Sequence, residues 1–394
     1  MTPETEDALA QIIKGADGPL RISGGGTRPI GRFNGAVLSM AKMSGITLYE
    51  PGALTLVAKA GTPVAEIEKT LAAENQRLAF EPMDHRALLG TKGTPTIGGV
   101  VAANVSGPRR ISVGAARDFM LGVRFVDGAG NIIKNGGRVM KNVTGYDLVR
   151  LMTGAYGTLG VLTEVSLKVL PDVEGQTTLV LDGLDDVTAI AAMSAALGSP
   201  YEVTGVAHDP AAGKTRFRLE GFKNSVAYRA GELAKVLAKF GTATDAETDW
   251  AAIRDVTAFA DQSGDVWRVS VKPSDAAGLV ARMGAKAVQY DWGGGLIWAL
   301  TPEGTDLRAR LGSLRGHATL VRAAPETLSQ AHSADPLLLA RAWSRAASAS
   351  AAASSAIVRA SASFCAACSA AVRASASLSA AYAQMMTRSP GLAL

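Results

Sequence analysis

Three stretches of glycine and small polar residues are the part of this sequence best suited to bind a charged ligand. They are SGGGT at Ser23–Thr27, GTPTIGG at Gly93–Gly99, and TGAYGTLG at Thr153–Gly160. Glycine adopts positive φ without a side-chain penalty, so such segments can turn several backbone N–H groups toward one anion. A single glycine-rich segment is commonly a plain turn. Three of them in one chain predict a large, diphosphate-containing ligand that is held from several sides.

The common nucleotide-binding motifs do not match these segments. A Rossmann fingerprint needs a strand, G-x-G-x-x-G and a helix, with an acidic residue about 20 positions later. The segment after Ser23–Thr27 is not an amphipathic helix, and a predicted strand follows Thr153–Gly160. No G-x-x-x-x-G-K-[ST] pattern occurs. The sequence therefore argues against a Rossmann NAD site and against a P-loop nucleotide triphosphatase.

Predicted strands and helices flank the three segments. We expect strands at Leu20–Ser23, Leu54–Ala60 and Val161–Leu170, and a hairpin in which residues 121–126 and 131–134 flank DGAG. A helix with an apolar face of Val64, Ile67 and Leu71 is predicted to begin at Thr62-Pro63, with Thr62 as its cap and Pro63 in its first turn.

The chain divides into three predicted parts: residues 1–172, a second α+β domain at 176–325, and a tail at 331–394. Pro171 ends the long strand, and DVEGQ follows as a linker. In the second part we expect helices at Val187–Leu197 and Ser225–Phe240 and strands at Thr215–Phe222 and Asp265–Pro273. In the tail, 36 of the 64 residues are Ala or Ser. We interpret it as low-complexity sequence, loosely helical or disordered, and as the product of a shifted reading frame.

Composition excludes several functional classes. The chain has 394 residues, of which 47% are hydrophobic and 19% charged, and no apolar run approaches the roughly 20 residues that span a bilayer. The net charge is +5, but residues 331–394 carry five Arg and one Asp and account for +4 of it. Residues 1–330 are therefore nearly neutral, and no basic stripe for nucleic acid is predicted. The start of the chain lacks the pattern of a secretory signal, so we expect a cytoplasmic protein, with peripheral membrane attachment left open.

Cys365 and Cys368 are the only cysteines, too few for a zinc or iron–sulfur site, and no metal site is predicted.

Three longer segments resemble a known flavoprotein family. They are RISGGGT, GTPTIGGVVAANVSGPRR and RVMKNVTGYDLVRLMTGAYGTLGVLTEVSLKVLP. Together they resemble the FAD-binding domain of the vanillyl-alcohol oxidase and p-cresol methylhydroxylase (PCMH) type, and most of all the smaller FAD-binding subunits of bacterial glycolate oxidases. The likeness covers about residues 1–325, with the motifs in the family's order. It implies an α+β fold: a two-subdomain PCMH-type FAD-binding domain, then a smaller α+β cap domain, ahead of the Ala/Ser tail.

The resemblance also implies which residues contact FAD. The first pyrophosphate loop would be Ser23, Gly24, Gly25, Gly26 and Thr27. The second would be Gly93, Thr94, Thr96, Ile97, Gly98 and Gly99, continued past the isoalloxazine by Asn104 and Gly107. Gly157, Gly160, Val161 and Thr163 would lie near the adenine and ribitol side.

Many flavoproteins of this class attach FAD through a histidine, and this chain has His85, His208, His317 and His332. None is adjacent in sequence to the first or second loop, so non-covalent FAD is expected. His85 could line the entrance to the site, although we expect it to lie on the surface.

Four polar residues are candidates for catalysis. Tyr146 and Asn142 are expected to point toward the flavin. Arg109 and Arg110 could bind a substrate carboxylate or another subunit, or they could be solvated surface charges.

The resemblance implies a subunit of a complex that oxidises glycolate or D-lactate. Its partners would be a larger FAD-binding catalytic subunit and an iron–sulfur subunit, because residues 1–330 contain no cysteine. The segment GHATLVRA at Gly316–Ala323 keeps only His317 of the motif expected in the larger catalytic relatives, so weak activity is expected of this chain alone. Two alternatives stay open at this point: a stand-alone FAD-dependent oxidase or dehydrogenase, and a non-catalytic FAD-binding assembly subunit.

Overall fold

A computed structural model describes residues 1–29, 35–138 and 145–328 of the chain. In these ranges the strands are β1 (Leu20–Ser23), β2 (Ala36–Ser39), β3 (Ile46–Glu50), β4 (Thr55–Lys59), β5 (Gln76–Arg77), β6 (Met120–Val126), β7 (Ile132–Gly136), β8 (Val161–Lys168), β9 (Leu170–Pro171), β10 (Gly175–Asp182), β11 (Val203–Asp209), β12 (Lys214–Gly221), β13 (Thr244–Asp245), β14 (Asp265–Val271), β15 (Ala287–Asp291), β16 (Leu296–Thr301) and β17 (Gly316–Arg322). The helices are α1 (Glu6–Lys14), α2 (Val64–Ala72), α3 (Arg86–Leu89), α4 (Ile97–Ala103), α5 (Arg110–Val113), α6 (Leu148–Met152), α7 (Asp186–Leu197), α8 (Lys223–Leu237), α9 (Trp250–Asp255), α10 (Ala276–Met283) and α11 (Leu307–Leu311). Residues 331–394, with His332 and both cysteines, lie outside the described ranges, so the predictions for the tail stay predictions.

The first half of the chain contains a five-stranded sheet in the order β3-β4-β8-β6-β7 and a two-stranded parallel sheet of β1 and β2. The long strand β8 is central in the larger sheet, paired with β4 and β6. The predicted hairpin is confirmed, with Val126 opposite Ile132 at its closed end. Strand β8 begins directly after the third small-residue segment, so this segment ends beside the centre of the five-stranded sheet.

Helix α2 confirms the predicted apolar face but not the predicted cap. Val64, Ile67 and Leu71 are all buried. The Thr62 hydroxyl instead donates to the Lys59 carbonyl (2.7 Å) and accepts from the Gly45 N–H (2.9 Å). Pro63 precedes the helix rather than opening it. Because Thr62 is fully buried, its hydroxyl bonds to the adjacent turn and not to the first turn of the helix.

The second half of the chain forms one eight-stranded antiparallel sheet in the order β13-β10-β12-β11-β15-β16-β14-β17. The predicted helices and strands of this region are confirmed as α7, α8, β12 and β14. One face packs against α7, α8 and α10, while Leu296, Trp298 and Leu300 from the other face join the core of the first half. The sheets separate at the predicted boundary near residues 172–176, but the two halves share a core, and the division into domains stays a prediction.

Buried ion pairs also join the two halves. Arg109 Nε and Nη2 donate to the two carboxylate oxygens of Glu220 at 2.8 and 2.7 Å. Arg218 donates in the same manner to Glu81 at 2.9 and 3.0 Å. Burial alone would raise the pKa of Glu220, but hydrogen bonds from Arg109 and the charge of Arg218 hold that pKa well below its usual range. This network fixes the segment after the second small-residue loop against the large sheet.

Candidate functional site

The three small-residue segments meet at one cavity of about 320 Å³. The first segment leaves the end of β1, the second leads into α4, and the third runs from α6 to β8. Residues lining the cavity include Ser23, Gly24, Gly25, Gly26, Thr27, Thr96, Gly98, Gly99, Gly157 and Gly160. Segments that are far apart in sequence are therefore neighbours in space, as the sequence predicts.

Glycine is required where the first and second segments touch. A Cβ on Gly25 would lie 1.5 Å from the Thr94 carbonyl oxygen, and one on Gly93 would lie 1.6 Å from the Gly25 carbonyl oxygen. No side chain fits at either position unless the backbones separate. Gly93 and Thr94 thus hold the two loops together and do not line the cavity.

The third segment is fastened to α4 by its backbone. The N–H groups of Gly154 and Tyr156 donate to the carbonyls of Val101 (3.0 Å) and Ala102 (2.7 Å). At the start of α4, Thr96 caps the helix by accepting from the Gly99 N–H at 3.4 Å. The polar and small residues around the cavity are consequently held by a rigid helix.

The remaining residues that the resemblance assigns to FAD lie elsewhere. Asn104 and Gly107 line a second cavity. Ile97 and Val161 are buried in hydrophobic clusters. The Thr163 hydroxyl donates to Glu6 at 2.6 Å, and Glu6 in turn pairs with Arg124. Ile97, Val161 and Thr163 therefore lie behind the cavity wall, where they support the loops.

The second cavity, of about 350 Å³, adjoins the first. Both are lined by Arg28, Pro29, Met83, His85, Ala103, Val105 and Tyr156. At this junction the Arg28 guanidinium lies 5.4 Å from the centre of the Tyr156 ring. Its Nη1 is buried without a hydrogen-bond partner in the described chain. A buried, unpartnered cationic donor beside converging backbone amides fits a diphosphate-containing cofactor that extends through the junction.

His85 lies at the same junction, and the expectation of a surface histidine is wrong. Its side chain is 5% exposed and lines both cavities. Burial, helped by the charge of Arg28, lowers the pKa of His85 well below its usual value. The imidazole is therefore neutral at neutral pH and able to accept a proton.

Two further arginines face the second cavity and stack on one indole ring. The guanidinium carbons of Arg110 and Arg268 lie 4.6 and 5.2 Å from the centre of the Trp292 ring. Burial lowers the pKa of Arg110 and lowers the pKa of Arg268 to about 10. The buried Asp291 lines the same cavity, and burial raises the pKa of its carboxyl to about 7. Sequence reasoning missed Asp291, Trp292 and Arg268.

Of the other catalytic candidates, Arg109 and Tyr146 do not line the second cavity. Arg109 is 6% exposed and bound to Glu220, so it is not a surface charge and its guanidinium is occupied. The side chain of Tyr146 is 87% exposed, which contradicts the expectation that it points toward the flavin. Asn142 lies outside the described residues. His317, by contrast, lines the second cavity from β17.

Comparisons with known proteins show what this chain is similar to. The family described as "FAD binding domain" matches residues 1–136. The chain is 37% identical over 305 residues to "Glycolate oxidase subunit GlcE" of Escherichia coli, covering 76% of this chain and 81% of that protein. It is 35% identical over 156 residues to "Glycolate oxidase subunit GlcD" of Bacillus subtilis, covering 40% of this chain and about a third (31%) of GlcD.

The fold is shared with a solved structure. A structure of alkyldihydroxyacetonephosphate synthase superposes with a TM-score of 0.62 at 16% identity, covering 79% of this chain and 70% of that one. Across residues 1–29, 35–138 and 145–328, no helix is long and apolar enough to cross a membrane. From the cavity, the family match and the extent of the likeness to GlcE, we conclude that the chain belongs to the glycolate oxidase subunit GlcE family of FAD-dependent oxidoreductases, with FAD as its cofactor.

Proposed function

We propose that this chain is the FAD-binding subunit of a complex that oxidises a small 2-hydroxy acid, glycolate or D-lactate, to the 2-oxo acid. The observation that carries this proposal is that the two cavities adjoin and share lining residues. Beside the loops that fit FAD lies a second space lined by arginines and a neutral histidine. A negatively charged substrate bound in the second cavity would therefore lie next to the cofactor.

The proposed reaction removes a hydride from C2 of the hydroxy acid and a proton from its hydroxyl group. Bound FAD supplies the hydride acceptor. We assign the hydroxyl proton to His85, because its imidazole is neutral and lies where the two cavities join. FAD is proposed to be bound non-covalently.

We propose that the electrons then leave to another polypeptide. The whole sequence holds two cysteines, and an iron–sulfur cluster needs about four ligands. We therefore propose an iron–sulfur partner, together with a larger FAD-binding catalytic subunit of the kind that the name GlcD denotes. A cytoplasmic location, with membrane attachment only through these partners, is part of the same proposal.

One observation favours the alternative of a stand-alone oxidase or dehydrogenase. This chain places arginines and a neutral histidine beside the FAD loops, as a stand-alone enzyme requires. A non-catalytic assembly subunit is the third candidate.

Purification of the full chain, alone and with the polypeptides that travel with it, distinguishes these functions. We expect yellow protein whose flavin is released by acid, and a complex that contains iron and sulfide and is bleached by glycolate or D-lactate. Equally fast bleaching by the isolated chain would favour the stand-alone enzyme, and a flavin that no hydroxy acid reduces in the complex would favour the assembly subunit. Protein that stays colourless after incubation with excess FAD would refute the proposed function.

A further inference from the structure

We propose that Arg110 and Arg268, stacked on Trp292, form the site that binds the carboxylate of the 2-hydroxy acid. This inference rests on the proposed function and deepens it, because it places a substrate site in this chain. The sequence alone favours a complete substrate site in the larger subunit.

Pairing distinguishes these two arginines from Arg109 and Arg254. Arg109, adjacent in sequence to Arg110, has both sides of its guanidinium fork on Glu220. Arg254, which lines the same cavity, donates twice to Asp255 at 2.7 Å. Within the described residues, neither Arg110 nor Arg268 has a carboxylate oxygen within 4 Å, and each guanidinium instead contacts the face of Trp292.

An unpaired, partly buried guanidinium is costly unless an anion neutralises it. Burial lowers the pKa of both groups, which shows that their charged forms are poorly solvated here. Stacking on an aromatic face compensates in part and holds the planar groups in place. The N–H donors of a stacked guanidinium still point outward in its plane, and their geometry suits the two oxygens of a carboxylate.

The position of the pair also suits the reaction. His85, the proposed proton acceptor, lines the same cavity at its junction with the FAD loops. A carboxylate held by Arg110 and Arg268 therefore lies in the second cavity, next to the cavity of the FAD loops. Glycolate and D-lactate each carry one carboxylate next to the carbinol carbon, so one anchor orients the whole molecule.

The test measures binding instead of turnover. Isothermal titration of the full-length chain, with and without FAD, uses glycolate, ethylene glycol as the analogue without a carboxylate, and inorganic phosphate as a general anion. We expect glycolate to bind and the other two to bind at least roughly tenfold more weakly. Arg110→Gln and Arg268→Gln should each weaken glycolate binding by roughly tenfold or more, as expected for loss of a charged hydrogen bond. The exposed Arg282→Gln carries the same charge change and should bind glycolate as the wild type does.

Folding and charge are controlled separately. FAD content and thermal unfolding should match in all variants, and Arg110→Lys and Arg268→Lys, which keep the charge without the planar fork, should retain part of the affinity. If one glutamine variant does not fold, its lysine counterpart and the other arginine still test the site.

Three results would overturn the inference: no glycolate binding by the wild type, phosphate binding as tight as glycolate binding, or a double glutamine variant that binds glycolate like Arg282→Gln. The proposed function can survive each of these, because a complex whose flavin is still bleached by glycolate would then hold its substrate site elsewhere. Colourless protein, in contrast, removes the proposed function itself.

Discussion

Replacing Glu220 with Gln tests whether the buried ion pairs hold the two halves of the chain together. The carboxylate is 2% exposed and accepts from Arg109 at 2.7 and 2.8 Å and from Arg77 at 2.9 Å. An amide keeps the size of the side chain but removes the charge. It leaves Arg109 only the more distant pairing with Glu81 at 3.0 Å.

Breaking a buried pair by neutralising one partner typically costs about 3–5 kcal/mol, because the other charge loses its compensation. Arg109 keeps its pairing with Glu81, so we expect a cost near the lower end of this range. Whole proteins are stable by only about 5–15 kcal/mol, so the loss is a large fraction of the total. We expect the midpoint of urea unfolding to fall by roughly 1 M or more. Tryptophan fluorescence is a suitable measurement, because Trp250 packs on the Arg218 guanidinium at 4.5 Å.

The pH dependence should have a definite sign. The pKa of Glu220 is lowered in the folded protein, so its stabilising effect is present above the unfolded pKa of about 4.3 and is lost as pH falls below that value. Glu220→Gln should therefore flatten the acid side of the stability profile. Glu4→Gln makes the same chemical change in an exposed pair with Lys42 and should not move the midpoint measurably. Equal midpoints for the two variants would refute the structural role of the network.

Three further changes test the site itself. Gly25→Ala should weaken FAD binding roughly ten- to hundredfold, because its Cβ would overlap the Thr94 carbonyl and overpacking costs about 1–3 kcal/mol; Gly18→Ala, where a Cβ meets nothing within 4 Å, should bind FAD normally by fluorescence titration. His85→Gln should slow glycolate-driven bleaching of this chain's flavin roughly 100-fold without loss of FAD, and an unchanged stopped-flow rate would exclude it as the base. Burial raises the pKa of Asp291 to about 7, so the folded protein keeps a proton that the unfolded chain releases near pH 4. Its contribution should make the free energy of unfolding fall as pH rises between these values, by up to about 1.4 kcal/mol per pH unit, and Asp291→Asn should remove that slope in urea titrations at several pH values.

Local signals predicted that the small-residue segments approach one another closely. The glycines of Ser23–Thr27 and Gly93–Gly99 predict that the backbones of these two segments lie close together. The contact between Gly25 and Thr94 shows why glycine is needed there. The hairpin of β6 and β7 and the apolar face of α2 likewise depend on residues close in sequence. Thr62 was misassigned because its hydroxyl bonds to Lys59 and Gly45 in the turn before the helix, a choice that the cap pattern cannot reveal.

The substrate side of the site could not be predicted in this way, because its residues come from distant parts of the chain. Arg28 follows the first loop, His85 precedes α3, and Arg268 lies on β14 in the large sheet. Each is an ordinary polar residue in its own segment. One local signal existed for Trp292, which is followed by Gly293, Gly294 and Gly295 in the sequence. In the structure, Trp292, Gly293 and Gly294 all have positive φ. A tryptophan in such a turn indicates a backbone that is shaped for a purpose, here the presentation of an indole face to two arginines.

Arg109 and Arg110 show most clearly where sequence reasoning ends. They are the same residue type, adjacent in the chain, and the sequence offers both for a substrate carboxylate, for a partner or for solvent. Their contacts differ because Glu220, 111 positions from Arg109, binds Arg109 and not Arg110. The donors of Arg109 are therefore occupied by a protein carboxylate. Arg110 stacks on Trp292 and keeps its donors for a ligand. An arginine near a cofactor is thus available to a ligand when the fold places no protein carboxylate beside it. Whether a carboxylate lies beside it depends on how the two sheets pack together.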